Sequence, residues 1–173
     1  EPIQTNSTAG WPEGPRVGAA GAVIMDADSG EILYGKNIYK HLYPASITKL
    51  FTAHVALQYL SPEMELTAGD ELDLVLYGSS VANIGVGNVL TVAQLVEGML
   101  LPSGNDAANT VACVLGGSPE GFAVMMNEQA DLIGMVDTNF VTASGLDSEG
   151  HYSTAYDMAL LASECIKDPL FRE

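Results

Sequence analysis

Residues 46–60 read SITKLFTAHVALQYL, a stretch that begins with a serine and a lysine and continues as an apolar run. Apolar residues recur at helical spacing from Ile47 to Val55, and others occupy the remaining faces. A helix that is apolar nearly all round is typically buried at the centre of a protein. The stretch therefore predicts a central helix whose first turn carries Ser46 and Lys49.

The segment before this helix has the pattern of an antiparallel hairpin. VGAAGAVIMDAD (17–28) has a β-branched, apolar centre, DSG (28–30) is typical of a turn, and EILYGKN (31–37) alternates less regularly. A lone two-stranded sheet is marginally stable in water. We therefore expect the hairpin to pack on helices and to belong to a sheet whose other strands this chain does not contain.

Four further helices are predicted C-terminal to residue 90. They run from about 92 to just before Pro102, from 105 to 115, from Pro119 to near Gly134, and from 154 to 167. Their signals are a Thr91–Gln94 capping box, closing glycines at 116 and 117, a Ser118 cap before Pro119, and a Thr154 cap with Asp157. Residues 61–90 are expected to be surface loop with short irregular pieces, and a short strand is expected near 139–142. The predicted class is α+β, a helical lobe with an N-terminal antiparallel hairpin.

Composition excludes several classes of function. The chain of 173 residues is 47% hydrophobic, which suits one compact domain. Its formal charge of −16 argues against nucleic acid and against unassisted docking on an anionic membrane. A small neutral or cationic substrate suits this surface better, and no apolar stretch approaches the roughly 20 residues that cross a bilayer.

The serine and lysine at 46 and 49 could form a nucleophile and its base. A serine hydroxyl attacks well only when a neighbouring base removes its proton. Residues i and i+3 share a helix face, so the two side chains can meet, and the N–H groups of the first turn point toward an oxyanion formed there. Burial lowers the pKa of a lysine toward neutrality. The pattern S-x-x-K also occurs often by chance, so a second signal is needed.

LLPSGNDAAN at 100–109 supplies that second signal. Pro102 ends one helix, Gly104 permits a tight turn and Asn105 begins the next helix. Ser103 and Asn105 are therefore expected on an exposed corner between helices, where a hydroxyl could pass a proton and an amide could hold a substrate carbonyl. Alone, S-G-N is more often a turn with a helix cap.

Together, SITK followed 57 residues later by SGN resembles the penicillin-recognising serine enzymes, and specifically the D-alanyl-D-alanine carboxypeptidases among the low-molecular-mass penicillin-binding proteins. AAGAVIMDADSGEILYGKN is similar to the family's opening hairpin, and YPASITKLFTA to its nucleophile helix. LIGMVDTNFVTASGLDSEGHYSTAYDMALLA is similar to the segment after its second motif. The resemblance covers roughly residues 17–168 and implies a β-lactamase/transpeptidase-like fold.

The resemblance implies a role for each site residue. Ser46 would be the acylated nucleophile, with its N–H in the oxyanion hole, and Lys49 its general base. Ser103 would relay a proton, and Asn105 would orient the substrate backbone. The implied reaction removes the terminal D-alanine from peptidoglycan stem peptides outside the cytoplasm and is blocked by β-lactams. No cofactor or metal is implied, and membrane anchoring stays open.

The sequence departs from the family at its third motif. No K-T-G triplet or variant follows Asn105, although the strand that bears it supplies an oxyanion donor and the contact to the substrate carboxylate. We therefore expect residues 1–16 to be an irregular leader and 17–173 to be the N-terminal and helical part of a catalytic domain. This part alone should be nearly inactive unless the C-terminal portion joins it. The start at EPIQTNSTAGWPEGP suggests that a targeting signal was removed.

Two other functions fit the same residues. A β-lactamase of the same superfamily would need S-D-N and a deacylating glutamate, and neither can be placed here. A catalytically silent peptidoglycan-binding or regulatory module has no need for a serine and a lysine on one helical turn. Covalent capture of penicillin would separate an enzyme from a silent module.

The remaining polar and sulfur-bearing residues receive structural interpretations. His41, His54 and His151 lack metal-site spacing, His54 being expected in the core or at a cleft edge and the others in loops. Met125 and Met126 are expected to pack in the core, and Cys113 and Cys165 are not expected to form a bridge. A solvated face accounts for the acidic cluster, which consists of Glu63, Glu65, Asp70, Glu71 and Asp73.

Overall fold

The computed structural model describes residues 14–172, so most of the 1–16 leader lies outside the described residues. The chain divides into two units. Of the described residues, the first unit contains 14–43, 130–138 and 152–172, and the second contains 44–129 and 139–151. Within residues 14–172, no helix is both long and apolar enough to cross a membrane.

The first unit contains the predicted hairpin. Strands β1 (Ala22–Met25) and β2 (Ile32–Lys36) pair antiparallel, and the Asp26 carboxylate accepts the Ser29 N–H in the turn between them. β1 packs against helix α5 (Ala155–Cys165), which confirms the predicted packing of the hairpin on a helix. Thr154 caps α5 by accepting the Asp157 N–H at 3.0 Å, as predicted.

The second unit is mainly helical and contains the predicted central helix. Helix α1 (Thr48–Tyr59) buries Phe51, Ala53, Val55 and Ala56 completely and packs against α2 (Val92–Leu100) and α3 (Asn105–Gly116). α4 (Pro119–Ile133) begins in this unit and ends in the first.

The helix ends agree with the signals read from the sequence. The Thr91–Gln94 capping box is formed at the start of α2, with both of its hydrogen bonds present. Gly117 follows α3 with φ +70°, the left-handed conformation that closes many helices. The Ser118 hydroxyl accepts the Gly121 N–H at the start of α4.

Two predictions about strands are wrong. Residues 61–90 are more than loop, because β3 (Glu65–Thr67) and β4 (Val89–Thr91) pair antiparallel around a short 3-10 helix, Asp70–Leu74. Conversely, no strand forms over 139–142. Side chains hold the backbone there: Phe140 exchanges two hydrogen bonds of 2.8 Å with the Asn127 amide. A side-chain amide satisfies the same backbone groups that a strand partner would satisfy.

Candidate active site

The α-helix begins after Ser46, not at it as predicted. Ser46 occupies a 3-10 turn, Ala45–Ile47, immediately before α1, rather than the α-helix itself. The turn starts from a strained backbone, since Ala45 has φ +50°. The Ser46 side chain is exposed, so a reactant can approach its hydroxyl.

Lys49 is the buried partner of Ser46. Its side chain is 1% exposed, and its Nζ lies 3.2 Å from Ser46 Oγ and 2.7 Å from the Ser144 carbonyl oxygen. Burial lowers the pKa of Lys49 from 10.5 to about 8, because an ammonium group loses its hydration in the interior. Near neutral pH an appreciable fraction of this lysine is therefore a free amine beside an exposed hydroxyl.

The loop at 142–146 forms the back of this site. Its Ala143 carbonyl accepts from Thr52 Oγ1 at 2.7 Å, one turn along α1 from the contact between Lys49 and Ser144. Gly145 has φ +80°, and a Cβ built on it would lie 1.8 Å from the Ala45 carbonyl oxygen. The loop backbone thus touches the turn that carries Ser46, at a place where only glycine fits.

Asn105 is the first residue of α3, which packs against α1, and Ser103 lies two residues before it. The predicted exposed corner is wrong, because Asn105 is 5% exposed and Ser103 is half-buried. Ser103 has φ +60°, and its Oγ is buried without a hydrogen-bond partner among the described residues. The structure records no hydrogen bond from Ser103 to Ser46 or Lys49. A strained serine with an unpaired buried hydroxyl is typical of a functional position.

Asp106 holds part of the site in place, a role that the sequence did not indicate. Its carboxylate is 3% exposed and accepts the Ala82 and Ile84 N–H groups at 2.8 and 2.9 Å. The neighbouring Asn105 N–H donates to the Ser80 carbonyl at 2.9 Å. These contacts fasten the 80–84 segment onto the first turn of α3. The only sequence signal for this role is that Asp106 is an acidic residue in the first turn of a helix.

His151 was also underestimated. It lies in a loop as expected, but it is 1% exposed and hydrogen-bonded on both ring nitrogens. His54 is buried and lies near Phe51, and His41 is exposed and stacks on Tyr152. Across residues 14–172, no three histidine, cysteine or acidic side chains are grouped as a metal ion would require.

The other side chains take the places assigned to them. Met126 is fully buried and Met125 half-buried, and the acidic cluster at 63–73 is exposed except for the half-buried Glu71. Cys113 and Cys165 are both free thiols, and burial raises the pKa of each, that of Cys165 to about 12.

Known proteins are similar to this chain in sequence and in fold. The family model described as D-alanyl-D-alanine carboxypeptidase matches residues 7–173. The chain is 35% identical over 153 residues to D-alanyl-D-alanine carboxypeptidase DacF of Bacillus subtilis and 38% over 165 residues to DacC of Escherichia coli. These alignments cover 86% and 90% of this chain but only 39% and 41% of the relatives, so the chain spans well under half of their length.

Solved structures agree with the sequence matches. Penicillin binding protein 6B from Escherichia coli is 32% identical with a TM-score of 0.86, over 97% of this chain and 56% of its own. Penicillin binding protein 5 from Haemophilus influenzae is 31% identical with a TM-score of 0.83, over 91% of this chain and 48% of its own. The predicted fold class, a transpeptidase-like fold present in part, is therefore confirmed, and the chain belongs to the D-alanyl-D-alanine carboxypeptidase family.

Proposed function

We propose that the protein containing this chain is a serine D-alanyl-D-alanine carboxypeptidase in which Ser46 is the nucleophile and Lys49 its general base. The observation that carries this proposal is the 3.2 Å approach of a buried lysine, with a pKa lowered to about 8, to an exposed serine hydroxyl. A general base works best when its pKa lies near the working pH. A lysine retained for surface charge needs neither the burial nor the contact with the serine.

The proposed reaction begins at Ser46. Ser46 Oγ attacks the carbonyl carbon of the peptide bond before the terminal D-alanine, and its proton passes to Lys49. Ser103 relays a proton to the departing amine, and Asn105 orients the substrate backbone. The N–H of Ser46 stabilises the oxyanion. Water then hydrolyses the ester on Ser46. A β-lactam enters by the same attack, but its opened ring remains attached and leaves a slowly hydrolysed ester.

The substrate and location are part of this proposal. Peptidoglycan stem peptides ending in D-Ala-D-Ala lie outside the cytoplasm, so the protein acts as an exported enzyme on the cell-wall side of the membrane. We treat residues 17–173 as the N-terminal and helical part of its catalytic domain. Because these residues contain no K-T-G triplet after Asn105, we expect the chain alone to turn over poorly. Loss of one oxyanion donor costs about 10²–10³ in rate.

The test measures release of D-alanine from a peptide ending in D-Ala-D-Ala, using the intact protein and the 173-residue chain side by side. We expect the intact protein to release D-alanine and the Ser46→Ala variant to release none. We expect the chain alone to be at least about 100-fold slower. Steady penicillin hydrolysis without peptide turnover would instead identify a β-lactamase. If the intact protein neither releases D-alanine nor captures penicillin, it is a silent module.

A further inference from the structure

His151 joins two parts of the second unit that are far apart in sequence. Its Nε2 lies 3.1 Å from Thr48 Oγ1, on the first turn of α1, and its Nδ1 lies 3.0 Å from the Val141 N–H in the loop. The ring is fully buried and makes an edge contact with Phe140. None of the roles proposed above uses this residue.

The partners determine which nitrogen of His151 carries the proton. A backbone N–H can only donate, so Nδ1 must accept from Val141 and must be unprotonated. The proton then sits on Nε2 and is donated to Thr48 Oγ1. Burial lowers the pKa of His151, opposed by the nearby Asp147 carboxylate, so this neutral tautomer is favoured at neutral pH. A protonated ring would place a second donor against the Val141 N–H.

The loop that His151 holds is the loop that contacts Lys49. Between Val141 and His151 lie the Ala143 carbonyl, which accepts from Thr52, and the Ser144 carbonyl, which accepts from Lys49. Thr142 Oγ1 bridges the Gly145 N–H and the Leu146 carbonyl and so closes the loop on itself. The loop is thus a compact unit anchored on α1 by three contacts, of which His151 supplies the one nearest Ser46 in sequence.

We propose that His151 is a positioning residue for Lys49: by binding Val141 and Thr48 together, it keeps the Ser144 carbonyl on the lysine nitrogen and keeps water out. The anchored carbonyl takes one N–H of the amine, which leaves the lone pair free to face Ser46. This inference rests on the proposed function for its catalytic meaning. The coupling between His151 and Lys49 is a property of the folded protein and is measured without any substrate.

The experiment is an NMR titration of the Lys49 side chain in the intact protein, ¹³C-labelled at lysine Cε and assigned with Lys49→Arg. In wild type we expect a lysine pKa near the value of about 8 given by its burial. In His151→Ala the loop loosens and water reaches the ammonium group, so the Lys49 pKa should rise by about one pH unit. His151→Asn, whose amide oxygen can take the Val141 N–H, should lie between the two.

Two further variants keep the test decisive. Thr48→Val removes only the acceptor for Nε2, so it reports on the same link if His151→Ala does not fold, and it should also raise the Lys49 pKa. Leu95→Ala opens a cavity at a fully buried position in α2 and should lower Tm without moving the lysine titration. An unchanged Lys49 pKa in both the His151 and Thr48 variants would overturn the proposal, as would an equal shift in Leu95→Ala.

The proposed function and the positioning role of His151 can fail independently of each other. Absence of any penicillin adduct on Ser46, with the coupling still present, would remove the catalytic meaning and leave the positioning intact. An adduct formed at the normal rate in His151→Ala, with the Lys49 pKa unmoved, would remove the positioning and leave the enzyme intact.

Discussion

Lys49 donates a hydrogen bond of 2.7 Å to the Ser144 carbonyl oxygen, across 95 positions of sequence. This contact places the buried amine between a fixed acceptor on one side and Ser46 Oγ on the other. The loop backbone therefore orients the amine that we propose as the base.

The acylation rate should rise with pH on its acidic limb. Because burial lowers the Lys49 pKa to about 8, the amine is mostly protonated below that pH, and only its unprotonated fraction can accept the Ser46 proton. We expect the rate constant for acylation of the intact protein by penicillin to increase roughly tenfold per pH unit below the Lys49 pKa and to level off above that pKa. A rate that stays constant from pH 6 to 9 would exclude Lys49 as the base.

The buried lysine should cost stability near neutral pH. Its pKa is depressed in the folded state, so the unfolded chain binds more protons between about 8 and 10.5, and the free energy of unfolding rises with pH across that window. The depression corresponds to about 3 kcal/mol. We expect Lys49→Met to be about 1–3 kcal/mol more stable than wild type at pH 7 and inactive. Urea unfolding of both proteins at pH 7 and at pH 10 measures the pH dependence of the wild type and the stability gained by Lys49→Met. If the variant gains the same stability at both pH values, this account is contradicted.

Ser103→Ala should separate stability from activity. The Ser103 Oγ is buried without a partner, so removing it relieves a desolvation penalty of about 1 kcal/mol or more. The same change removes the proposed proton relay and should slow acylation by about 10²-fold. Thermal unfolding and penicillin acylation are measured on one sample. A destabilised variant with normal acylation would show that the hydroxyl is structural.

Gly145→Ala should disrupt the turn that carries Ser46. The added Cβ would meet the Ala45 carbonyl oxygen at 1.8 Å, and the φ of +80° is unfavourable for alanine. We expect loss of more than about 3 kcal/mol or complete loss of acylation. Gly117→Ala is the matched control, with φ +70° and no atom within 4 Å of the new Cβ. It should cost only about 1 kcal/mol and leave acylation unchanged. Similar effects of the two changes would refute the close-contact argument.

Asp106→Asn should release the 80–84 segment. An amide keeps one oxygen but turns an NH₂ group toward a backbone N–H, so one of the contacts to Ala82 and Ile84 is lost. We expect about 1–3 kcal/mol of destabilisation and faster hydrogen exchange at those two amides. Asp26→Asn, on an exposed hairpin turn with similar backbone contacts, should cost less than about 1 kcal/mol. Equal destabilisation by the two substitutions would show that Asp106 has no special role in holding the 80–84 segment.

Local signals predicted the helices because their causes are local. The Thr91–Gln94 box, Pro102 and Gly117 each act within a few residues, and the structure shows helix ends at those points. The Ser46–Lys49 pair was likewise predictable, since residues one turn apart meet in a helix and in the 3-10 turn that precedes it.

Long-range contacts were not predictable. β3 and β4 are three residues each and pair across an intervening segment, so no hydrophobic period identifies them. His151 and Asp106 have the right residue type for many roles, and only the fold shows that one binds Thr48 and the other Ala82.

The most direct test of the central claim is mass spectrometry of the intact protein after incubation with penicillin, with the adduct mapped by peptide. We predict one covalent penicilloyl group per protein, carried by the peptide that contains Ser46, and no adduct in Ser46→Ala. An adduct on any other residue, or one that persists in Ser46→Ala, would contradict Ser46 as the nucleophile.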